Sequence, residues 1–317
     1  MPAGADVNDV DDSVMVTQLR FPALDGFDLG GVCYRPRVAA GAERAVVFNC
    51  GGGIPASHYR RFASYLAKNG IPVLTYDYRG IGQSRPMHLR GFAATAEDWA
   101  EYDCGGAIAW LSARYPGAEL VGIAHSVGTL LLGGAPNAGA LSRLVLICSH
   151  TGYFGDYHPR YRLPMALLWH GVMPGLTRLL GYFPGRQLGL GEDLPSGIAL
   201  QWARRRTPDL KLAGTRESER ARAGLARCTT LRHPALVVSF TDDAFATEAG
   251  TRRLLSYYSQ IRPVSMRISP SDAGMEAIGH FGFFHSNAHA TLWPRVLAYL
   301  LHKNDEFGDS LERNAVQ

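Results

Sequence analysis

Glu119-Leu-Val-Gly-Ile-Ala-His-Ser-Val-Gly128 runs from a continuous apolar stretch into a serine, and a helix-compatible segment begins directly after it. The apolar stretch reads as a buried strand. A sharp strand-to-helix turn needs small residues two before and two after its central serine, and Ala124 and Gly128 occupy those positions. Ser126 Oγ is then expected to project above the C-terminal edge of a sheet, where open α/β sheets bind ligands. A serine at such a junction also serves as a helix N-cap, so the surrounding pattern has to decide between the two roles.

Outward from this stretch, strands and helices alternate. On the N-terminal side, residues 14–22 and 27–36 read as two strands joined by a turn at Asp25-Gly26. Residues 44–53 form a buried-strand run that ends in three glycines. The segment 56–70 places Tyr59, Phe62, Ala63, Leu66 and Ala67 on one helical face and closes at Gly70. A strand over 71–80 and a helix over about 96–115 precede the opening stretch. A helix from about Val127 and a strand over 143–150 follow it. The alternation resumes with a strand over 234–243, a helix over 247–258, a strand over 263–270 and a closing helix over 288–302. Such βαβ alternation predicts an α/β protein with a mostly parallel, doubly wound sheet. The rhythm breaks over 151–233, which is rich in proline, aromatic residues and arginine without a buried-strand pattern, and this segment is expected to be a mainly helical cap insertion. The predicted organisation is a tail over 1–13, a core over 14–150 and 234–303, and a C-terminal tail over 304–317.

Composition excludes several classes. With 46% hydrophobic and 19% charged residues, the chain is an ordinary globular protein. A net charge of +4, from 32 basic and 28 acidic residues, gives no electrostatic footprint for nucleic acid, so a small-molecule partner is expected. The N-terminal residues lack the basic and apolar regions of a signal peptide, and no apolar run is long enough to span a membrane. The five cysteines are odd in number and scattered without CxxC spacing, which fits reduced, structural cysteines and a cytoplasmic location. The histidines are dispersed without ligand spacing, so neither a metal nor a cofactor is expected. No feature of the sequence sets the oligomeric state.

A serine hydroxyl attacks a carbonyl only when a base takes its proton, and the base in turn needs a carboxylate to fix its tautomer. His280 lies on a glycine-flanked loop, Ile278-Gly-His-Phe-Gly-Phe-Phe284, after the last predicted strand, where its ring can reach Ser126. His285 and His289 read instead as surface positions of the closing helix. Asp242 and Asp243 both end a predicted strand at the same sheet edge, and either can supply the carboxylate. Oxyanion stabilisation requires about two backbone amides. Val127, after the serine, supplies the first. The glycine loop 50–55 supplies the second, and it is no phosphate cradle because no Lys-Ser/Thr follows it.

These residues resemble the α/β-hydrolase superfamily over about 15–302, nearest to bacterial hydrolases related to serine aminopeptidases and monoglyceride lipases. The resemblance is carried by Gly53-Ile-Pro55, Tyr76-Asp-Tyr-Arg-Gly-Ile-Gly-Gln-Ser84, Ala124-His-Ser-Val-Gly128, Gly181-Tyr-Phe-Pro-Gly185 and Gly279-His-Phe-Gly-Phe283. It implies the chain order Ser126, Asp243, His280 for a catalytic triad, with Asp242 as the alternative acid. It also implies Ile54 as second oxyanion donor, with Gly53 as alternative, and a structural role for 76–84. The histidine that usually precedes the oxyanion glycine is replaced by Cys50-Gly51-Gly52.

The expected activity is hydrolysis of a carboxylic ester or thioester through an acyl-enzyme. The alternatives are acyl transfer to an alcohol or amine, and ligand binding without catalysis. Tyr153, Trp169, Tyr182, Phe183 and Trp202, with Phe154, Tyr157 and Met173, are candidates for an acyl pocket or for packing of the insertion. Arg204–Arg206 reads as a solvated helix face, with contact to an anionic substrate as the less favoured role.

Overall fold

The computed structural model describes residues 13–38, 41–205 and 216–302. Almost all of the two expected tails, and Arg206, lie outside the described residues. Eight strands form one sheet in the order β1-β2-β4-β3-β5-β6-β9-β10. Strands β1 (Val14–Pro22) and β2 (Asp28–Pro36) make the expected antiparallel hairpin, and β2 also runs antiparallel to β4 (Val73–Tyr76). From β4 onward, β3 (Arg44–Asn49), β5 (Glu119–His125), β6 (Arg143–Ile147), β9 (Pro234–Phe240) and β10 (Arg262–Ile268) are parallel.

The central strands β3, β5 and β6 are apolar on both faces because helices cover both sides. Helix α1 (Arg60–Lys68) buries Phe62, Ala63, Leu66 and Ala67, the face its periodicity predicted, and ends before Gly70 at φ 87°. The helix expected over 96–115 contains a π-helical segment, Trp99–Cys104, between α2 (Ala96–Asp98) and α3 (Gly105–Arg114). Helices α4 (Gly128–Gly134), α9 (Glu248–Leu255) and α10 (Trp293–Leu301) complete the layers. Helix α10 starts five residues later than expected, with Pro294 at its N-terminus. His285 and His289 sit exposed in the turns ahead of it.

Between β6 and β9 the described chain forms α5 (Pro159–Leu167), α6 (Met173–Leu180), α7 (Ser196–Arg204) and α8 (Arg216–Thr230). It also forms a two-stranded antiparallel ladder of β7 (Tyr182–Phe183) and β8 (Leu194–Pro195), which the sequence did not signal because each strand has only two residues.

The turn after β4 braces the loop that follows β3. Asp77 Oδ1 accepts the Ala56 amide at 2.7 Å and Oδ2 accepts the Gln83 amide at 2.8 Å, while Ser84 Oγ donates to the Asp77 carbonyl. Arg79 donates to buried Asp103 at 2.7 Å and to Asp25 at 2.7 and 2.8 Å. Removing one partner of a buried pair like this costs about 3–5 kcal/mol, because the other charge is left uncompensated. Tyr78 donates to the Cys50 carbonyl at 3.2 Å, so the turn holds the glycine loop directly.

Candidate active site

Ser126 has φ 58°, one of two positive values among the described non-glycine residues, so the turn that carries it is strained. Its amide donates to the Ile147 carbonyl at 2.9 Å, which ties the turn to β6. A side chain at position 128 has no room, since a Cβ there would lie 2.3 Å from the Cys50 carbonyl oxygen. That contact presses the serine turn against the glycine loop and accounts for the small residue two places after Ser126.

Ser126 Oγ lies 3.1 Å from His280 Nε2, and His280 Nδ1 lies 2.8 Å from Asp243 Oδ2. The carboxylate is an acceptor, so Nδ1 carries the proton and Nε2 accepts from the serine hydroxyl. Asp243 Oδ1 accepts the amides of Phe245 at 2.8 Å and Ala246 at 2.9 Å. Burial acts to raise the Asp243 pKa, but the neighbouring His280 and these two amides outweigh it and hold the carboxyl well below the usual carboxylate range. Asp242, the alternative acid, points elsewhere: its Oδ2 accepts the amides of Ile278 at 2.8 Å and Gly279 at 3.0 Å.

Two further histidines adjoin the serine. His150, buried in the loop that follows β6, places Nε2 3.0 Å from Ser126 Oγ, and its Nδ1 accepts the Gly152 amide at 3.0 Å. Burial, then the nearby His280, pushes its pKa down to about 3. His125 donates from Nε2 to the His280 carbonyl at 3.0 Å and accepts at Nδ1 from the Tyr59 hydroxyl at 3.0 Å. The Tyr59 oxygen in turn accepts the Gly51 amide at 2.8 Å. A buried relay therefore joins the glycine loop to the His280 loop. Burial, followed by the adjacent His280, drives the His125 pKa well below its usual value, so the relay stays neutral.

Neither His150 nor Tyr59 was read from the sequence as part of a site. The usable signal for His150 was its position, because it ends the predicted strand run 143–150 that follows the helix after Ser126. Tyr59 offered only a place on the buried face of a helix.

The glycine loop corrects one expectation. The Ile54 amide is turned into the loop and donates to the Gly51 carbonyl at 3.2 Å, while the carbonyl of the same peptide, that of Gly53, accepts from Glu192 at 2.8 Å. Ile54 therefore has no amide to offer an oxyanion. The Gly51 amide is held by Tyr59. Among the described residues, the amides of Gly52, Gly53 and Val127 donate to no protein group. Gly52 packs against Val127 and Trp202, whereas Gly53 faces Leu194.

Above these groups lies a cavity of about 430 Å³, lined mainly by apolar side chains. Trp169, Phe183 and Trp202 line it, as do Tyr157 and Met173, joined by Met165, Leu168, Leu190, Leu194 and Phe245. Tyr153, Phe154 and Tyr182 do not. Tyr153 instead lies under Arg253, and Tyr182 pairs across the small ladder with Pro195. Arg204 is exposed and Arg205 donates to the Thr151 carbonyl at 2.8 Å, so neither faces the cavity. His125, Cys148 and His280 lie close enough together to suggest a metal set, but both His125 nitrogens are engaged and the His280 nitrogens face Asp243 and Ser126. All five cysteines are buried and unpaired. No helix among the described residues is long and apolar enough to cross a membrane.

The profile of the serine aminopeptidase S33 family matches residues 40–175. No curated protein gives a significant sequence match. Among solved structures, an esterase from Pyrococcus furiosus superposes with a TM-score of 0.58 at 14% identity, over 95% of this chain and 94% of the other. Brefeldin A esterase, described as a bacterial homologue of human hormone sensitive lipase, gives 0.55 at 18% identity over 97% and 80%. Pyrococcus horikoshii acylaminoacyl peptidase gives 0.54 at 13% identity, over 93% of this chain and 42% of that one. With the sheet order and the serine turn described above, these matches show that the chain has the α/β-hydrolase fold.

Proposed function

We propose that this chain is a serine hydrolase of uncharged carboxylic esters or thioesters, with Ser126 as nucleophile, His280 as general base and acid, and Asp243 as the carboxylate that orients His280. The observation that carries this reading is the unbroken hydrogen-bonded chain from Ser126 Oγ through His280 to Asp243 at the floor of an apolar cavity.

In acylation, the Ser126 proton passes to His280 Nε2 as Oγ bonds to the substrate carbonyl carbon, and the carbonyl π electrons move onto oxygen. That oxygen is received by the Val127 and Gly52 amides, with Gly52 taking the place expected for Ile54. Collapse breaks the bond to the leaving group, which takes the proton from His280. In deacylation, water gives a proton to His280 and its oxygen attacks the acyl carbon. The C–Oγ bond then breaks and the proton returns to Oγ.

The cavity lining favours esters over peptides with a free amino terminus. An aminopeptidase has to hold its substrate's ammonium group, and no carboxylate lines this cavity among the described residues. Each methylene buried against the apolar wall contributes about 0.8 kcal/mol, so kcat/KM should rise about fourfold per carbon until the cavity is full.

The test combines a fluorophosphonate probe with p-nitrophenyl esters of increasing chain length, acyl-CoAs and amino-acid p-nitroanilides. Labelling at Ser126, loss of turnover in Ser126→Ala and a preference for esters are expected. Folded protein that neither reacts with the probe nor cleaves any ester would overturn the reading.

A further inference from the structure

Ser126 Oγ sits between two imidazoles, 3.1 Å from His280 Nε2 and 3.0 Å from His150 Nε2. Their roles are not interchangeable. His150 Nδ1 faces the Gly152 amide, which can only donate, so Nδ1 bears the lone pair and the proton of the neutral ring sits on Nε2. His150 therefore donates to Oγ, whereas His280, with its proton directed at Asp243, accepts from it.

The segment that carries the ring is held from several sides. Ser149 Oγ lies 2.7 Å from Thr129 Oγ1 on α4, and the Ser149 carbonyl accepts from Thr251 Oγ1 on α9 at 3.0 Å. The Thr151 carbonyl accepts from Arg205 at 2.8 Å. The ring edge meets Tyr157 at a centroid distance of 5.5 Å.

We propose that His150 is a second catalytic histidine that stabilises the negative charge developing on Ser126 Oγ, as a fixed hydrogen-bond donor that transfers no proton. A hydrogen bond to an ionised oxygen is about twice as strong as one to a neutral hydroxyl. The same N–H therefore contributes more at the transition state than in the resting enzyme, which is the condition for it to accelerate the reaction. It acts when Oγ loses its proton to His280 during attack. It acts again when the C–Oγ bond breaks in deacylation and the electron pair returns to Oγ before His280 delivers the proton. Because the Gly152 amide blocks the other tautomer, His150 cannot replace His280 as base.

The proposal rests on Ser126 being the nucleophile, and two substitutions separate it from that reading and from a purely structural role. Gln in place of His150 can set its amide nitrogen near the Nε2 position and keep the donor to Oγ. Asn can set its side-chain oxygen near the Nδ1 position and keep only the bond from Gly152. The rate of fluorophosphonate labelling and kcat/KM on a p-nitrophenyl ester are measured for wild type, H150Q and H150N, with thermal unfolding alongside. Loss of about 10²-fold in H150N and retention within about tenfold in H150Q are expected, in line with removal of one donor at a developing oxyanion. Wild-type protein that labels, with H150N labelling equally fast or H150N outperforming H150Q, overturns the proposal while leaving Ser126 as nucleophile. Wild-type protein that fails to label overturns both. If neither variant folds, ¹⁵N-histidine NMR of the wild type decides: a protonated Nε2 supports the role and a protonated Nδ1 overturns it.

Discussion

Asp242 and Asp243 hold the same histidine loop by different handles: Asp242 takes the backbone amides of Ile278 and Gly279, and Asp243 takes the ring of His280. Two adjacent carboxylates thus divide the position of the backbone from the orientation of the imidazole. Asp243→Asn should lower kcat/KM by about 10⁴-fold by disturbing the tautomer and the charge balance of His280. Asp242→Ala should cost about 10- to 100-fold through displacement of the loop. Steady-state kinetics of the two variants on one ester checks the ranking, and a larger loss in Asp242→Ala contradicts this division of roles.

Acid should destabilise the fold before it reaches most carboxylates. Burial pushes the His58 pKa down from 6.5 to about 4, and that of His150 to about 3. Both rings are neutral in the fold and take up protons more readily when unfolded. Their stabilisation is complete above pH 6.5 and declines as pH falls, to about 4 for His58 and about 3 for His150. Urea unfolding between pH 7 and pH 4 should show falling stability, and His58→Phe should flatten the slope.

Tyr59→Phe should leave the Gly51 amide and His125 Nδ1 without partners in a site closed to solvent. About 1–3 kcal/mol is expected for each group left unpaired. Denaturant unfolding measures the loss. A fall in kcat larger than the change in KM should accompany it, because the relay positions the His280 loop and the glycine loop beside Ser126, whereas most of the apolar cavity wall is untouched.

Gly128→Ala inserts a methyl group 2.3 Å from the Cys50 carbonyl oxygen. Relief requires the serine turn and the glycine loop to separate, at about 1–3 kcal/mol for overpacking. Labelling by the fluorophosphonate should slow by about 10²-fold, since a shift near 1 Å misaligns the nucleophile with its oxyanion donors. Thermal unfolding and probe kinetics on the same preparation check the two effects together.

Trp202 lines the cavity beside Gly52, and Trp202→Ala should enlarge the acyl site. The preferred p-nitrophenyl ester should move to a longer chain, and an unchanged optimum would show that Trp202 does not bound the acyl group.

Much of this architecture was legible because it follows from periodicity. The apolar runs at 44–49, 119–125 and 143–147 could only be strands covered on both faces, and the face Phe62-Ala63-Leu66-Ala67 could only be helical. Ser126 and His280 were legible from their places after strands at one sheet edge. What escaped was set by tertiary contact. The direction of the Ile54 amide depends on a turn closed by Gly51 and on Glu192, more than a hundred residues away. Which aromatic residues of the insertion face the cavity depends on how short helices and a two-residue ladder pack, and no period distinguishes Tyr182 from Phe183. His150 carried no motif, and its relation to Ser126 comes from the adjacency of β5 and β6.

The bond between Glu192 and the Gly53 carbonyl bears on how such a protein can diversify. The peptide that shapes the glycine loop is clamped at its carbonyl by the backbone amide of a residue between β6 and β9, and Gly191 packs so closely there that a Cβ would lie 2.8 Å from that same oxygen. A recombinant that exchanged the segment between β6 and β9 for a foreign one would therefore disturb the glycine loop along with the cavity. Productive crossovers are confined to those that keep a glycine at 191 and a backbone amide at 192 in this conformation, so new pockets are reached more readily by changing single residues in α5, α6 and α7 than by exchanging the whole segment.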